Sequence, residues 1–318
     1  MCSKKVKQPL YKVSRHDLLH SPRRTTVAEG WEIVHSQAKA EVLRPATVRD
    51  YRKFYFRYAD FNEFIYVDQF DSDSIYKWLA SMETVQASTK RIRLKALKAV
   101  LGRLFNAGEL ETKFYRPIII KVDEEVKEGT TKEEIEQFLS CIDLTDYFQL
   151  RDAVIVLLIW NTGIRAGTLS QLTIEMIDFE EALLVCPGSI MKNHHKLVLP
   201  LNKGLLDLLS LLIRQNNIIT NELGYNTDLL FFTKQGHAFI DDDGSSTVSK
   251  RLHQYTKKYG IKHLNTHAIR RGFAKRLLNE GVSVPVISKA LGHSSLSTTT
   301  KYLNISEAEL INELKRLH

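Results

Sequence analysis

Thr266-His267-Ala268-Ile269-Arg270-Arg271-Gly272-Phe273 opens the stretch that decides how this chain is read. It runs on through Leu291-Gly292-His293 to Ser297-Thr298-Thr299-Thr300-Lys301-Tyr302. Helical spacing of three or four brings His267 beside both Arg270 and Arg271, and spacing alone does not say which arginine matters. Ser283 and Pro285 mark the start of a further helix and Gly292 its end, so His293 stands just past a helix C-terminus. The Ser297 to Thr300 run predicts another helix start, with Tyr302 nine residues after His293.

Working outward, Asn161-Thr162-Gly163-Ile164-Arg165 closes an apolar helix expected over 152–161, Gly163 ending it and Arg165 beginning the next element. Leu183 to Val185 and Leu197 to Leu199 predict two short strands around a hairpin, Met191-Lys192-Asn193-His194-His195-Lys196. Thr131 and Glu134 have capping-box spacing, so a second domain is expected over 130–318, after an extended, charged linker at 119–129. Residues 306–318 predict a terminal helix with Leu310, Ile311, Leu314 and Leu317 along one stripe.

The first domain is expected as a helical bundle over 26–118, following a basic tail at 1–25. Trp31, Ile33, Val34 and Ala38 lie on one helix that ends before Pro45, and Thr47 is expected to cap the next. Further helices are expected at 74–82 and 88–107. In the last of these, Leu94, Leu97, Leu101 and Leu104 define a buried stripe. Lys90, Arg91, Arg93, Lys95 and Lys98 put five cations into nine residues with no acid interspersed, a pattern that favours phosphate or groove contact over a solvated face.

Composition agrees with a folded chain that meets a polyanion. Hydrophobic residues make up 43% and charged residues 26%, the balance of a globular protein. The formal net charge is +8, and residues 1–129 hold 24 Lys/Arg against 17 Asp/Glu, so most of the surplus lies in the first part. No apolar run approaches the roughly 20 residues of a membrane span, so no membrane partner is expected. Cys2, Cys141 and Cys186 are widely spaced, which favours neither a disulfide framework nor a zinc site and points to a reduced, cytoplasmic setting. His194, His195 and His263 have no cysteine or carboxylate at metal-ligand spacing.

Taken together, these segments resemble the tyrosine recombinase (phage integrase) family. His267-x-x-Arg270, Leu291-Gly292-His293 and the run to Tyr302 resemble its C-terminal motif in type, order and spacing. Thr162-Gly163-Ile164-Arg165 resembles its first arginine motif, and Met191-Lys192, seven residues before Leu199, is similar to its hairpin lysine, Lys196 fitting less well. Leu43 to Tyr51 looks like the first-helix signature of its helical core-binding domain. Three positions depart from the pattern: Thr168 stands where an acidic residue is usual, and Arg271 and Asn304 replace frequent histidines.

The resemblance implies a mainly helical, two-domain clamp around double-stranded DNA, with a small antiparallel sheet in the catalytic domain. It implies site-specific recombination: integration, excision or resolution through a 3′-phosphotyrosyl link, on a homotetramer holding paired DNA sites. Tyr302 would be the nucleophile, Arg165 and Arg270 the guanidinium forks on the phosphate, and Lys192 the acid for the leaving 5′ oxygen. His267 and His293 would orient the phosphate and assist proton movement, and no metal or nucleotide cofactor would be needed. The alternatives are a type IB topoisomerase, whose active site is similar, and a DNA-binding protein that kept the fold and lost catalysis. The presence of all six catalytic residue types argues against the second.

Overall fold

The computed structural model describes residues 24–123, 127–225, 227–239, 247–293 and 295–303, with Lys301 and Tyr302 described by their backbone alone. Most of the expected basic tail and the whole of the expected helix at 306–318 lie outside the described residues. The chain divides into two units, Met1–Glu124 and Glu125–His318.

In the first unit, local capping chemistry decides where helices begin. Thr26 and Glu29 form a capping box on α1 (Val27–Ala40), each satisfying a backbone N–H that the first turn leaves unpaired. α2 (Pro45–Phe61) starts earlier than Thr47 suggested. Pro45 takes the first helical position, where its missing N–H costs nothing and its ring presets φ, so it opens this helix as well as following the last. Asp71 caps α3 (Ser72–Ala80) by accepting from the Ser74 N–H at 2.7 Å, which moves the start two residues ahead of the expected one. α4 (Ala87–Asn106) buries Leu94, Leu97, Leu101 and Leu104 as its periodicity predicts. Each fully buried leucine contributes about 1.5–3 kcal/mol. The core they join is aromatic, with Trp31, Tyr55, Tyr58, Phe70 and Trp78 in mostly edge-on contacts. The two fully buried phenols, of Tyr55 and Tyr58, keep partners: Tyr55 donates to the Val27 carbonyl at 3.0 Å, and Tyr58 shares a 2.6 Å bond with Ser74.

In the second unit the Thr131–Glu134 capping box starts α5 (Lys132–Ser140). The unit's axis is α6 (Tyr147–Thr162), apolar on all sides from Ala153 to Ile159 and buried there except at the partly covered Leu157. The short α7 (Ala166–Leu169) follows, then a three-stranded antiparallel sheet in the order β1 (Ile177–Asp178), β2 (Leu183–Cys186), β3 (Leu197–Pro200). β2 and β3 pair in register from Leu183↔Pro200 to Cys186↔Leu197. β1, two residues long, carries too little alternation to be read from sequence. α8 (Lys203–Leu223), α9 (Thr247–Tyr259), α10 (Thr266–Asn279), α11 (Val284–Ala290) and α12 (Leu296–Leu303) complete the described residues. α8 and α10 both pack against α6.

A polar network runs through this apolar unit. Arg151 and Asp152, both on α6, are buried; Arg151 donates to the Phe232 carbonyl at 2.6 Å and to Asp152 at 3.1 Å. Arg251 and Tyr255, from α9, close on the other oxygen of Asp152, Tyr255 at 2.8 Å. The two buried charges on this apolar helix persist because they pair with each other and with further partners, Arg251 and Tyr255 for Asp152 and the Phe232 carbonyl for Arg151. No helix among the described residues is long and apolar enough to cross a membrane.

Candidate active site

Where α6 stops determines where the first arginine points. Gly163 ends the helix in the left-handed conformation, φ +64°, its N–H reaching the Ile159 carbonyl at 2.7 Å. A Cβ at this position would lie 2.8 Å from Phe273 Cε1 and 3.0 Å from Leu291 Cδ2, so glycine is required by space as well as by φ. The chain then reverses, and Arg165 takes the N-cap position of α7, where its Nη1 donates to the Gly292 carbonyl at 3.1 Å.

α10 supplies the second arginine. Asn265 caps it by accepting from the Ala268 N–H at 2.9 Å, which puts His267 in the first turn and Arg270 one turn further. Arg270 is 2% exposed, and its two terminal nitrogens serve two different turns. Nη1 donates to the Gly163 carbonyl; Nη2 donates to the Leu291 carbonyl at 2.6 Å and lies 3.0 Å from His293 Nε2. Arg271 instead donates from Nε to the Glu128 carbonyl at 3.0 Å, so of the two arginines that helical spacing left open it is Arg270 that bonds the Gly163 and Leu291 carbonyls. Carbonyl acceptors fix the guanidinium without cancelling its charge.

The turn after α11 is the meeting point. Leu291 and Gly292 present carbonyls to Arg270 and Arg165, and His293 follows with its ring bracketed, Nε2 toward Arg270 and Nδ1 2.8 Å from Thr299 Oγ1. Burial, then the charges of Arg270 and Arg165, push the His293 pKa down to about 4, so the imidazole is neutral at ordinary pH. His267 is held below the usual range by desolvation, then by Arg270, Arg271, Arg165 and Lys127, although the residue is exposed at the surface. Nearby, His263 sits between Glu128 and Glu134 at 3.0 Å from each, a partnership its sequence neighbours did not reveal.

The β2–β3 connection lies against the same turn. Met191 is buried and approaches Gly292, where an added Cβ would be 3.2 Å from its terminal methyl; Asn193 donates to the Gly292 carbonyl at 3.4 Å. Lys192, between them, is exposed, as are His194, His195 and Lys196. Thr168, where an acid was expected, is buried and turns its hydroxyl to the Met191 sulfur at 3.7 Å, so that contact supports the hairpin and not an arginine. Tyr302 lies in α12 three residues after Thr299; its side chain is outside the described residues. Sequence reading missed Thr299 and Asn193, because a hydroxyl inside a Ser/Thr run and an amide in a turn look the same whether they face solvent or a site.

In the first unit the five cations of α4 are not equivalent. Arg91 and Lys95 are exposed. Lys90 is partly covered, Arg93 reaches the Met82 sulfur at 3.3 Å, and Lys98 donates to the Arg116 carbonyl at 3.0 Å, its pKa lowered by partial burial.

Residues 128–309 match the phage integrase family. The chain is 28% identical over 242 residues to tyrosine recombinase XerA of Pyrococcus furiosus, covering 76% of this chain and 78% of that protein. It is 25% identical over 281 residues to tyrosine recombinase XerD of Staphylococcus haemolyticus, covering 85% and 90%. Among solved structures, the fold is similar to the Tn1549 transposon integrase in complex with circular intermediate DNA, with a TM-score of 0.66 at 18% identity over 91% of this chain and 99% of that one.

Proposed function

Because the chain belongs to the phage integrase family and is a tyrosine-type site-specific recombinase, we propose that it breaks and rejoins double-stranded DNA through Tyr302, with Arg165, Arg270, His267, His293 and Lys192 around the scissile phosphate. The observation that carries this reading is the convergence of Arg165, Arg270 and His293 on the single turn that leads into the helix of Tyr302. Attack by a tyrosine oxygen gathers charge on the non-bridging phosphate oxygens, and two fixed guanidinium groups stabilise it without having to reorganise. The tyrosine oxygen gives up its proton with the assistance of His267 and forms the new bond to phosphorus, the 5′ oxygen leaves, and Lys192 on its exposed hairpin supplies that oxygen with a proton. Rejoining reverses each step, so the phosphotyrosyl link conserves the bond energy.

The exposed cations of α4, Arg91 and Lys95 first, supply phosphate contacts in the first unit. Domain limits at 26–118 and 130–318, assembly as a homotetramer on paired sites, and work in the DNA-containing cytoplasm complete the proposal. A nicked suicide duplex tests it: the wild-type chain should form a covalent adduct on a denaturing gel, and Tyr302→Phe should form none while binding the duplex as tightly. An adduct in the Phe variant would refute the assignment.

A further inference from the structure

Thr299 differs from its neighbours: it is fully buried, whereas Ser297, Thr298 and Thr300 are exposed. Its hydroxyl meets His293 Nδ1 at 2.8 Å, while the other ring nitrogen, Nε2, faces Arg270 Nη2 at 3.0 Å. A guanidinium has donors and no acceptor, so Nε2 must offer its lone pair there. The proton therefore sits on Nδ1, and Thr299 Oγ1 accepts it. In that tautomer Nε2 cannot donate to a phosphate oxygen. The tautomer that can, with hydrogen on Nε2, turns Nδ1 into an acceptor, and a hydroxyl can rotate to donate to it.

We propose that Thr299 is a positioning residue whose hydroxyl partners His293 in both neutral tautomers, accepting from Nδ1–H while Nε2 faces Arg270 and donating to Nδ1 when Nε2–H turns to the scissile phosphate. In the exchange Nε2 takes one proton from water and Nδ1 gives one up to water, so the ring ends neutral. The same contact ties α12, and with it Tyr302, to the turn that gathers the two arginines. His293 is neutral before and after the exchange, because its pKa is depressed to about 4. The inference rests on the assignment of His293 and Tyr302 to the active site.

The test compares Thr299→Val, which keeps the shape and loses the hydroxyl, with Thr299→Ser, which keeps the hydroxyl and loses a methyl. The full chain, carrying 15N-labelled histidine, is examined by NMR at neutral pH, with His293→Gln identifying the His293 signals. The wild type and Thr299→Ser should show a protected Nδ1–H; Thr299→Val should lose it to solvent exchange. On a nicked suicide duplex that the wild type cleaves, Thr299→Val should form the phosphotyrosyl adduct about tenfold more slowly, the scale of one lost hydrogen bond. Duplex affinity should hold, and Thr299→Ser should stay near wild type. A Thr299→Val chain with a protected Nδ1–H and an undiminished rate would overturn the proposal. So would a Thr299→Ser chain as slow as Thr299→Val, because packing would then explain both. If His293→Gln itself cleaves at the wild-type rate, the active-site assignment fails; if it is slow while Thr299→Val is not, only the role of Thr299 falls.

Discussion

Replacing Gly163 by alanine probes the joint on which both arginines depend, and Gly224 provides its internal control. Each glycine ends a helix of the second unit in nearly the same left-handed conformation, φ +64° and +68°, with its N–H bonded to the carbonyl four residues back. A Cβ on Gly224 meets nothing within 4 Å, so Gly224→Ala costs only the left-handed backbone term, about 1–2 kcal/mol. At Gly163 the same atom would press on the ring of Phe273 and lie 3.0 Å from Leu291 Cδ2, both in buried packing. Overpacking adds about 1–3 kcal/mol, so Gly163→Ala should cost about 2–5 kcal/mol. The damage should also reach the chemistry, because the Gly163 carbonyl accepts from Arg270. Amide exchange in α6 peptides along a urea series reports the stability of this unit. Adduct formation on a suicide duplex reports the site. Equal destabilisation by the two substitutions would refute the packing argument, and full activity in a destabilised Gly163→Ala chain would separate the turn from Arg270.

Three further expectations follow from the same geometry. Lys192→Ala should slow cleavage of an ordinary duplex by about two or more orders of magnitude, as for a lost general acid, and recover on a substrate with sulfur in place of the scissile 5′ oxygen. Arg270→Ala should not recover, since sulfur at the bridging position does nothing for the non-bridging oxygens; equal rescue of both would move the acid role to Lys196 or His194. On α4, Lys95→Ala should lower the log-log salt slope of DNA binding by roughly 0.9, and Lys98→Ala by less, because Lys98 is already turned to the Arg116 carbonyl. Identical slopes would contradict that distinction. His293, with its folded pKa depressed from 6.5 to about 4, takes up its proton more readily in the unfolded chain. Its contribution to stability is therefore full above pH 6.5 and is lost as the pH falls toward 4. Stability measured across that range should fall less steeply in His293→Gln, and an unchanged slope would show that other groups set it.

The β2–β3 pair, the order of the chemical residues and several helices were legible along the chain, because these depend on neighbours close in sequence. The Leu94, Leu97, Leu101, Leu104 stripe, the Thr131–Glu134 box and the Gly163 and Gly292 stops act over a turn or two, and each stands where periodicity or capping chemistry places it. Pro45 shows the limit of that reading, since one residue can follow one helix and begin the next. Tertiary structure alone decided which atoms meet. Arg270 and Arg271 are adjacent on one helix, and only the packing of α10 against the Gly163 turn and the α11 terminus buries one guanidinium among their carbonyls and leaves the other with Glu128. Thr168 facing Met191 and Thr299 facing His293 are equally invisible beforehand, because a hydroxyl has no partner written into the chain around it. Its partner comes from a segment brought near by burial of the apolar faces, and that burial, being non-directional, specifies contact only once the whole unit has closed.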